Sequence, residues 1–200
     1  PTEVNRFAIK KPLSWFESRL IHTVPPNHPG AGRKVYPGFL QLAGFVSMNP
    51  DRHMKAYRDF YLDVVRGKQH PADAHRAFYD EYNAVLDMSA EYYLDTIKTV
   101  FQEYHLARNL MKVRGRLVRP QALTQTALLT VEGVQDDVVG IGQTQAAHRL
   151  CRSLRDDQRK HLLVEKVGHY GVFSGRRFRE IIYPQIRDFL LTGPRQLPSL

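Results

Sequence analysis

What the chain has little of narrows its reading first. Cysteine is nearly missing: one thiol, Cys151, excludes an internal disulfide framework and fits a reducing compartment. No apolar run approaches the ~20 residues that a membrane helix needs. No basic, apolar and small-residue signal pattern opens the chain, so it reads as soluble and cytoplasmic. It begins at Pro1 without an initiator methionine, which suggests a piece of a longer polypeptide. The histidines have neither cysteine partners nor H-x-x-x-H spacing, so no zinc site is expected. There is no glycine-rich phosphate loop, no internal repeat and no low-complexity block. Acidic residues are also scarce, 20 against 29 Lys and Arg, for a formal charge of +9. The excess gathers in two places: Arg108, Lys112, Arg114, Arg116 and Arg119, then Arg176, Arg177 and Arg179. Neither group belongs to a nucleic-acid-binding signature. A solvated surface is the favoured reading over nucleic acid, and an acidic partner or an anionic lipid-coated surface is compatible with the same charges.

What is present can build a core, since 42% of 200 residues are apolar. Residues 1–34 are rich in proline and turn formers and read as a connector. Within them only 14–22 looks helical, with Ser14 as the expected N-cap. Residues 35–108 read as helical. The stretch VYPGFLQLAGFVSMN is expected to be a buried helix or helix pair, with Gly38 and Gly44 allowing close packing, broken at Asn49 and Pro50. Three amphipathic helices follow: Met54, Tyr57, Phe60, Tyr61, Val64 and Val65 mark the first, Ala74, Phe78, Tyr82, Val85 and Leu86 the second. Ser89 caps the third, whose face is Tyr93, Ile97, Val100, Phe101 and Tyr104. Adjacent aromatics such as Phe78 and Tyr79, or Tyr92 and Tyr93, point ~100° apart and cannot both enter one core. The surplus, with Tyr57, Tyr79 and Tyr92 as candidates, is expected to face a substrate from a cap or lid.

Residues 109–200 change character. MKVRGRLVRP predicts a tight hairpin about Gly115, and ALLTVEG a short strand of the kind buried in a parallel sheet. A helix is expected over 142–154, a strand over 161–165, and a last helix over 174–191 that ends near Gly193 and Pro194. Strand, helix, strand, helix with short links is part of an α/β sheet. Gly133-x-x-Asp136 places a carboxylate after the first strand, and His169, between Gly168 and Gly171, follows the second. An acid after one strand end and a histidine after the next is the layout of the later two members of an α/β-hydrolase triad. Asp136 is preferred for its spacing, and Asp137 is the alternative acid, otherwise a turn or cap contact. The histidine would act as general base and then as general acid. Cys151 is rejected as nucleophile because it lies on the apolar face of a helix, follows the acid in the chain and has no glycine elbow. Ser174 sits one residue off elbow spacing and reads as an N-cap. No nucleophile is therefore expected within the chain.

Four stretches together resemble a known family: VPPNHPGAGRKVYPGFLQLAGFVSMNPDRH, FYDEYNAVLDMSAEYYLDTIKTVFQE, LLTVEGVQDDVVGIGQT and GHYGVFSGRRFREIIYPQIRDFL. They are similar to the C-terminal portion of the intracellular polyhydroxyalkanoate (poly-3-hydroxybutyrate) depolymerases of bacteria. The resemblance spans nearly the whole chain. It implies an α/β fold, the C-terminal part of an α/β-hydrolase sheet with an inserted helical lid. It also implies hydrolysis of polyester ester bonds on cytoplasmic storage granules, without metal or organic cofactor. Acid and base carry over onto Asp136 and His169, while the nucleophile lies in an N-terminal half that these residues lack. The implied partners are the polymer or granule surface and that missing half, with a homo-oligomer left open and no nucleic acid or membrane span. Two other readings stand beside it: a related polyester synthase, an acyltransferase with the same triad logic, and a non-catalytic granule- or partner-binding fragment.

Overall fold

The computed structural model describes residues 2–192, which form two compact units. One comprises the chain up to Lys10 and from Thr99 onward, the other Lys11–Lys98. The stretch expected to be a connector opens with a helix, α1 (Glu3–Lys10), whose Ala8 is buried. Glu3 in its first turn and Lys10 in its last both complement the helix dipole. The proline-rich context hides this short amphipathic run.

In the second unit, α2 (Leu13–Leu20) starts directly after Pro12 and buries Phe16 completely. Ser14 therefore lies within its first turn and is not the cap, which corrects the expectation from sequence. The strands β1 (His22–Thr23) and β2 (Lys34–Tyr36) pair antiparallel. They lead to α3 (Gly38–Met48), α4 (Pro50–Val65) and α5 (Gln69–Asn83). A third strand, β3 (Met88–Ser89), pairs with β2 and runs into α6 (Ala90–Thr96). Ser89 caps α6 as expected, its hydroxyl oxygen accepting from the Tyr92 amide at 3.4 Å. The fully buried helix expected around 36–49 is not found: α3 buries only Gly38 and Gln41, and Phe39 is 68% exposed. Its inward face is polar because the Gln41 amide donates to the Tyr36 and Leu86 carbonyls at 3.1 and 3.0 Å. Gly38 does permit a close approach, since a Cβ there would meet the Val85 carbonyl oxygen at 2.4 Å, but a Cβ at Gly44 would face open space.

The remainder of the first unit follows a π-helical turn at Ile97–Gln102. The expected hairpin is present as β4 (Lys112–Val113) and β5 (Arg116–Leu117), turning through Arg114 and Gly115 at φ 50° and 75°. Next come β6 (Leu128–Gly133) and, after a long crossover, β7 (Arg159–Val164), paired parallel from Leu128 beside Arg159 to Gly133 beside Val164. The helix expected over 142–154 shrinks to α7 (Ala147–Leu150). Before and around it the chain forms separate turns, the Gln143, Ala147, His148 and Arg149 amides each reaching back three residues, while the amides of Gly142, Thr144 and Gln145 bond to the Glu132 carboxylate. The last helical stretch runs as α8 (Gly175–Arg177), a π turn Phe178–Ile182, and α9 (Tyr183–Thr192). At the π turn the Tyr183 amide reaches back five residues to the Phe178 carbonyl. The wider turn suits Pro184 next to it, which has no N–H and would crowd the carbonyl four residues back. Ser174 precedes α8 but does not cap it: its hydroxyl donates to the Tyr170 carbonyl at 3.3 Å. The expected stop at Gly193 and Pro194 lies outside the described residues.

The two parallel strands have unlike faces, because side chains alternate along a strand. Leu129, Val131, Leu162 and Val164 pack with Val167, Phe178, Ile182 and Ile186 in the apolar core. Thr130 and Glu132 point the other way, toward the crossover, together with His161.

Candidate active site

The site forms where β6 and β7 end, which in parallel sheets is where loops from neighbouring strands converge. Gly133 closes β6 and lies against the segment that follows β7: a Cβ at this position would come within 2.4 Å of the Val167 carbonyl oxygen. Two amides beyond it fasten the next loop to β7 and its extension, Val134 to the Val164 carbonyl at 3.0 Å and Gln135 to the Val167 carbonyl at 2.9 Å. Asp136 then turns its carboxylate inward. One oxygen accepts the Val138 and Val139 amides at 2.9 and 2.8 Å. That leaves the side chain only 5% exposed, yet solvated by fixed dipoles in place of water.

From the other strand, Val167 turns inward to the core and His169 opens a short 3-10 helix, His169–Val172. Its Nδ1 lies 3.0 and 3.2 Å from the two Asp136 oxygens. The ring is 33% exposed. The flanking glycines serve space more than torsion, since neither has a positive φ. A Cβ on Gly171 would sit 3.0 Å from Val167 Cγ1, and one on Gly168 3.4 Å from the Gln135 carbonyl oxygen. An exposed aromatic rim adjoins the imidazole, with Tyr170 and Phe173 at ring-centroid distances of 5.8 and 6.2 Å. The arrangement can fix one imidazole tautomer, Nδ1–H toward the carboxylate, and leave the Nε2 lone pair for proton transfer.

Of the residues singled out in the sequence, the structure brings Asp136 and His169 together. Asp137 is exposed beside them. Cys151 is buried at the C-terminal cap of α7, not in mid-helix. Of the three tyrosines, Tyr57 and Tyr92 are exposed, whereas Tyr79 lies inside the helical unit with its hydroxyl 3.0 Å from His53 Nδ1 and its ring 4.4 Å from that of His75. Burial raises the Tyr79 hydroxyl above its usual pKa, Tyr57 adding to this and Arg52 opposing it.

The sequence reading passed over Glu132, which is 2% exposed. Its carboxylate accepts from the Gly142, Thr144 and Gln145 amides at 2.7, 2.7 and 3.0 Å and from the Thr144 hydroxyl at 2.8 Å. Burial alone would raise its pKa; these hydrogen bonds outweigh burial and hold it below the usual glutamate value. The signal was a carboxylate in an otherwise apolar strand, which must be satisfied if buried. Beside it, the Thr130 hydroxyl bridges His148 Nε2 and His161 Nδ1 at 2.8 and 2.9 Å, and His161 Nε2 lies 3.7 Å from Glu132. His148 is held below its ordinary pKa by burial first, then by His161 and Arg159.

A family model described as PHB de-polymerase C-terminus matches residues 1–193. The chain belongs to this family. No curated protein and no solved structure matches it. In this PHB de-polymerase C-terminus, the Asp136–His169 contact at two strand ends lies within the unit that holds the parallel strands, and the aromatic-rich helices belong to the unit 11–98. Among the described residues of this PHB de-polymerase C-terminus, no group of three or more His, Cys, Asp or Glu could hold a metal ion, and no helix is long and apolar enough to cross a membrane.

Proposed function

We propose that the chain supplies the acid and general base of a poly(3-hydroxybutyrate) depolymerase that cleaves polyester ester bonds through an acyl-enzyme. The observation that carries this reading is the Asp136–His169 contact at 3.0 Å, after consecutive parallel strands, in a chain of this family. Asp136 holds the Nδ1–H and stabilises the imidazolium when it forms. His169 Nε2 takes the proton of a serine or cysteine nucleophile contributed from outside these residues. The nucleophile bonds to the ester carbonyl carbon, the tetrahedral oxyanion collapses, and the alkoxide leaves with the proton returned by His169. A water then loses its proton to His169, attacks the acyl group and releases the acid and the nucleophile. Nothing in this sequence requires a metal or organic cofactor.

Residues 35–108 act as a lid that meets the polymer with aromatic side chains, Tyr57 and Tyr92 among them, and the enzyme works on storage granules in the cytoplasm. Tyr170 and Phe173 beside the imidazole give an apolar approach to the same atom. The test is release of 3-hydroxybutyrate from the polymer by the intact protein. Asp136→Asn and His169→Ala are each expected to lower kcat by about ten-thousandfold while the fold persists. Near-wild-type rates in either variant reject the assignment, and polymer formation from an acyl-thioester in place of hydrolysis would make the chain part of an acyltransferase.

A further inference from the structure

We propose that Glu132 is a positioning residue for the Asp136–His169 pair: it fastens the far end of the acid-bearing loop to the strand from which that loop departs. The inference deepens the reading above and rests on it. The loop of residues 134–145 leaves β6 at Gly133, and its near end is held by the Val134 and Gln135 amides on the carbonyls of Val164 and Val167. Asp136 turns within this loop, and its bonds to the Val138 and Val139 amides are local, so they travel with the loop and do not fix where it sits. The far end is gripped by Glu132. One carboxylate oxygen takes the Gly142 amide, and the other takes the amide and hydroxyl of Thr144 and the amide of Gln145.

Glu132 lies only four residues before Asp136, on the strand whose end aims the acid. A loop held at its near end on β7 and its extension and at its far end on β6 can shift the carboxylate little, and a hydrogen bond to Nδ1 weakens steeply when distance or angle is lost. The groups facing Glu132 fit a lasting anion. Besides its four donors, the titratable neighbour is His161 at 3.7 Å, itself tied through Thr130 to His148 on α7. Its hydrogen-bonding side chain is fully buried, so water cannot substitute for it.

The experiment is NMR of the intact protein carrying isotope-labelled histidine, read at the His169 Nδ1–H resonance, with kcat and KM for ester hydrolysis measured alongside. In the wild type the resonance is expected downfield and is lost in Asp136→Asn. Glu132→Ala is expected to lose it too, although both partners remain, and to lower kcat about a hundredfold with KM unchanged. Glu132→Gln keeps an oxygen for Thr144 and Gln145, so it should retain the resonance and recover part of kcat. An intact resonance and unchanged kcat in Glu132→Ala overturn the proposal. If that variant does not fold, Thr144→Val decides, because it removes one hydrogen bond into the same oxygen: a weakened resonance supports the proposal and an unchanged one overturns it. A wild type without an Asp136-dependent resonance overturns both the positioning role and the pair. The expected resonances with hydrolysis indifferent to Asp136→Asn would keep Glu132's role and reject the hydrolytic reading.

Discussion

Gly133 carries a heavy constraint for a residue without a side chain. It ends β6, begins the loop that carries Asp136, and lies where any Cβ would meet the backbone of the segment carrying His169. Backbone cannot move aside as a flexible side chain can, so Gly133→Ala must push apart the two strand ends. A loss of about 3 kcal/mol is expected, as in overpacked cores, measured by urea denaturation. Because the displaced atom is the Val167 carbonyl oxygen, which also takes the Gln135 amide, the Asp136–His169 distance should lengthen in the same variant. Stability within a few tenths of the parent would show that the two segments are not in register as described. At this scale the sequence was informative but incomplete. The G-x-x-D spacing and the glycine-flanked histidine single out the two residues that the structure brings to 3.0 Å. Glu132 does not stand out in a short run framed by apolar residues, yet Thr130 and Glu132 alternate with Leu129 and Val131, the pattern of a strand with one polar face.

Among the elements, the parallel pair and the closing helix depend on one another. Ile182 is completely buried, in the π turn that joins α8 to α9, against the apolar side of β6 and β7. Ile182→Ala removes the centre of this contact and is expected to cost about 2–5 kcal/mol, read as a lower midpoint in denaturant with an unchanged slope. A loss under 1 kcal/mol would mean that the helix does not seal the sheet. The order of strand, helix, strand, helix was legible here, as was the hairpin at Gly115; of the last-helix residues expected to be buried, Phe178, Ile182, Ile186 and Phe189 pack inward, whereas Ile181 and Leu190 are exposed. Three features were not. The crossover helix is short because the chain before it is folded into separate turns seated on the Glu132 carboxylate, a tertiary effect that apolar periodicity does not report. Ser174 has the residue type of a cap, but its hydroxyl turns back to donate to the Tyr170 carbonyl and accepts no amide of α8. α1 is too short for its periodicity to stand out from the prolines after it.

For the whole molecule, the charged and titratable groups give a signed dependence on acidity. Glu132 is held below its ordinary pKa, so the unfolded chain binds that proton more readily. Its stabilisation is present above the ordinary carboxylate range and is lost as pH falls through the folded value. His148 acts in the same direction: its folded pKa lies below the ordinary 6.5, and acidification from there downward favours the unfolded, protonated form. The thermal midpoint should therefore fall as pH drops from about 7 to about 4, first through the histidine range and then through the carboxylate range. Melting curves at constant ionic strength test this, and a midpoint that rises on acidification would contradict it. Glu132→Gln should reduce the later part of the fall, and His148→Asn the earlier part, to which His53, held low by burial and Arg52, also contributes.

The acid and its partner also differ in how far along the chain their contacts reach. Glu132 grips residues only ten to thirteen positions onward, and Asp136 binds amides two and three positions onward, whereas His169 comes from 33 positions away. Closing a short loop confines the chain less than closing a long one, so the seat of the acid is the cheaper structure to assemble. The seat belongs to one hairpin-sized segment, while the pair needs the whole crossover and β7. In folding order, the carboxylate's cradle can form while His169 is still distant, and the meeting of the two marks the completion of this part of the chain.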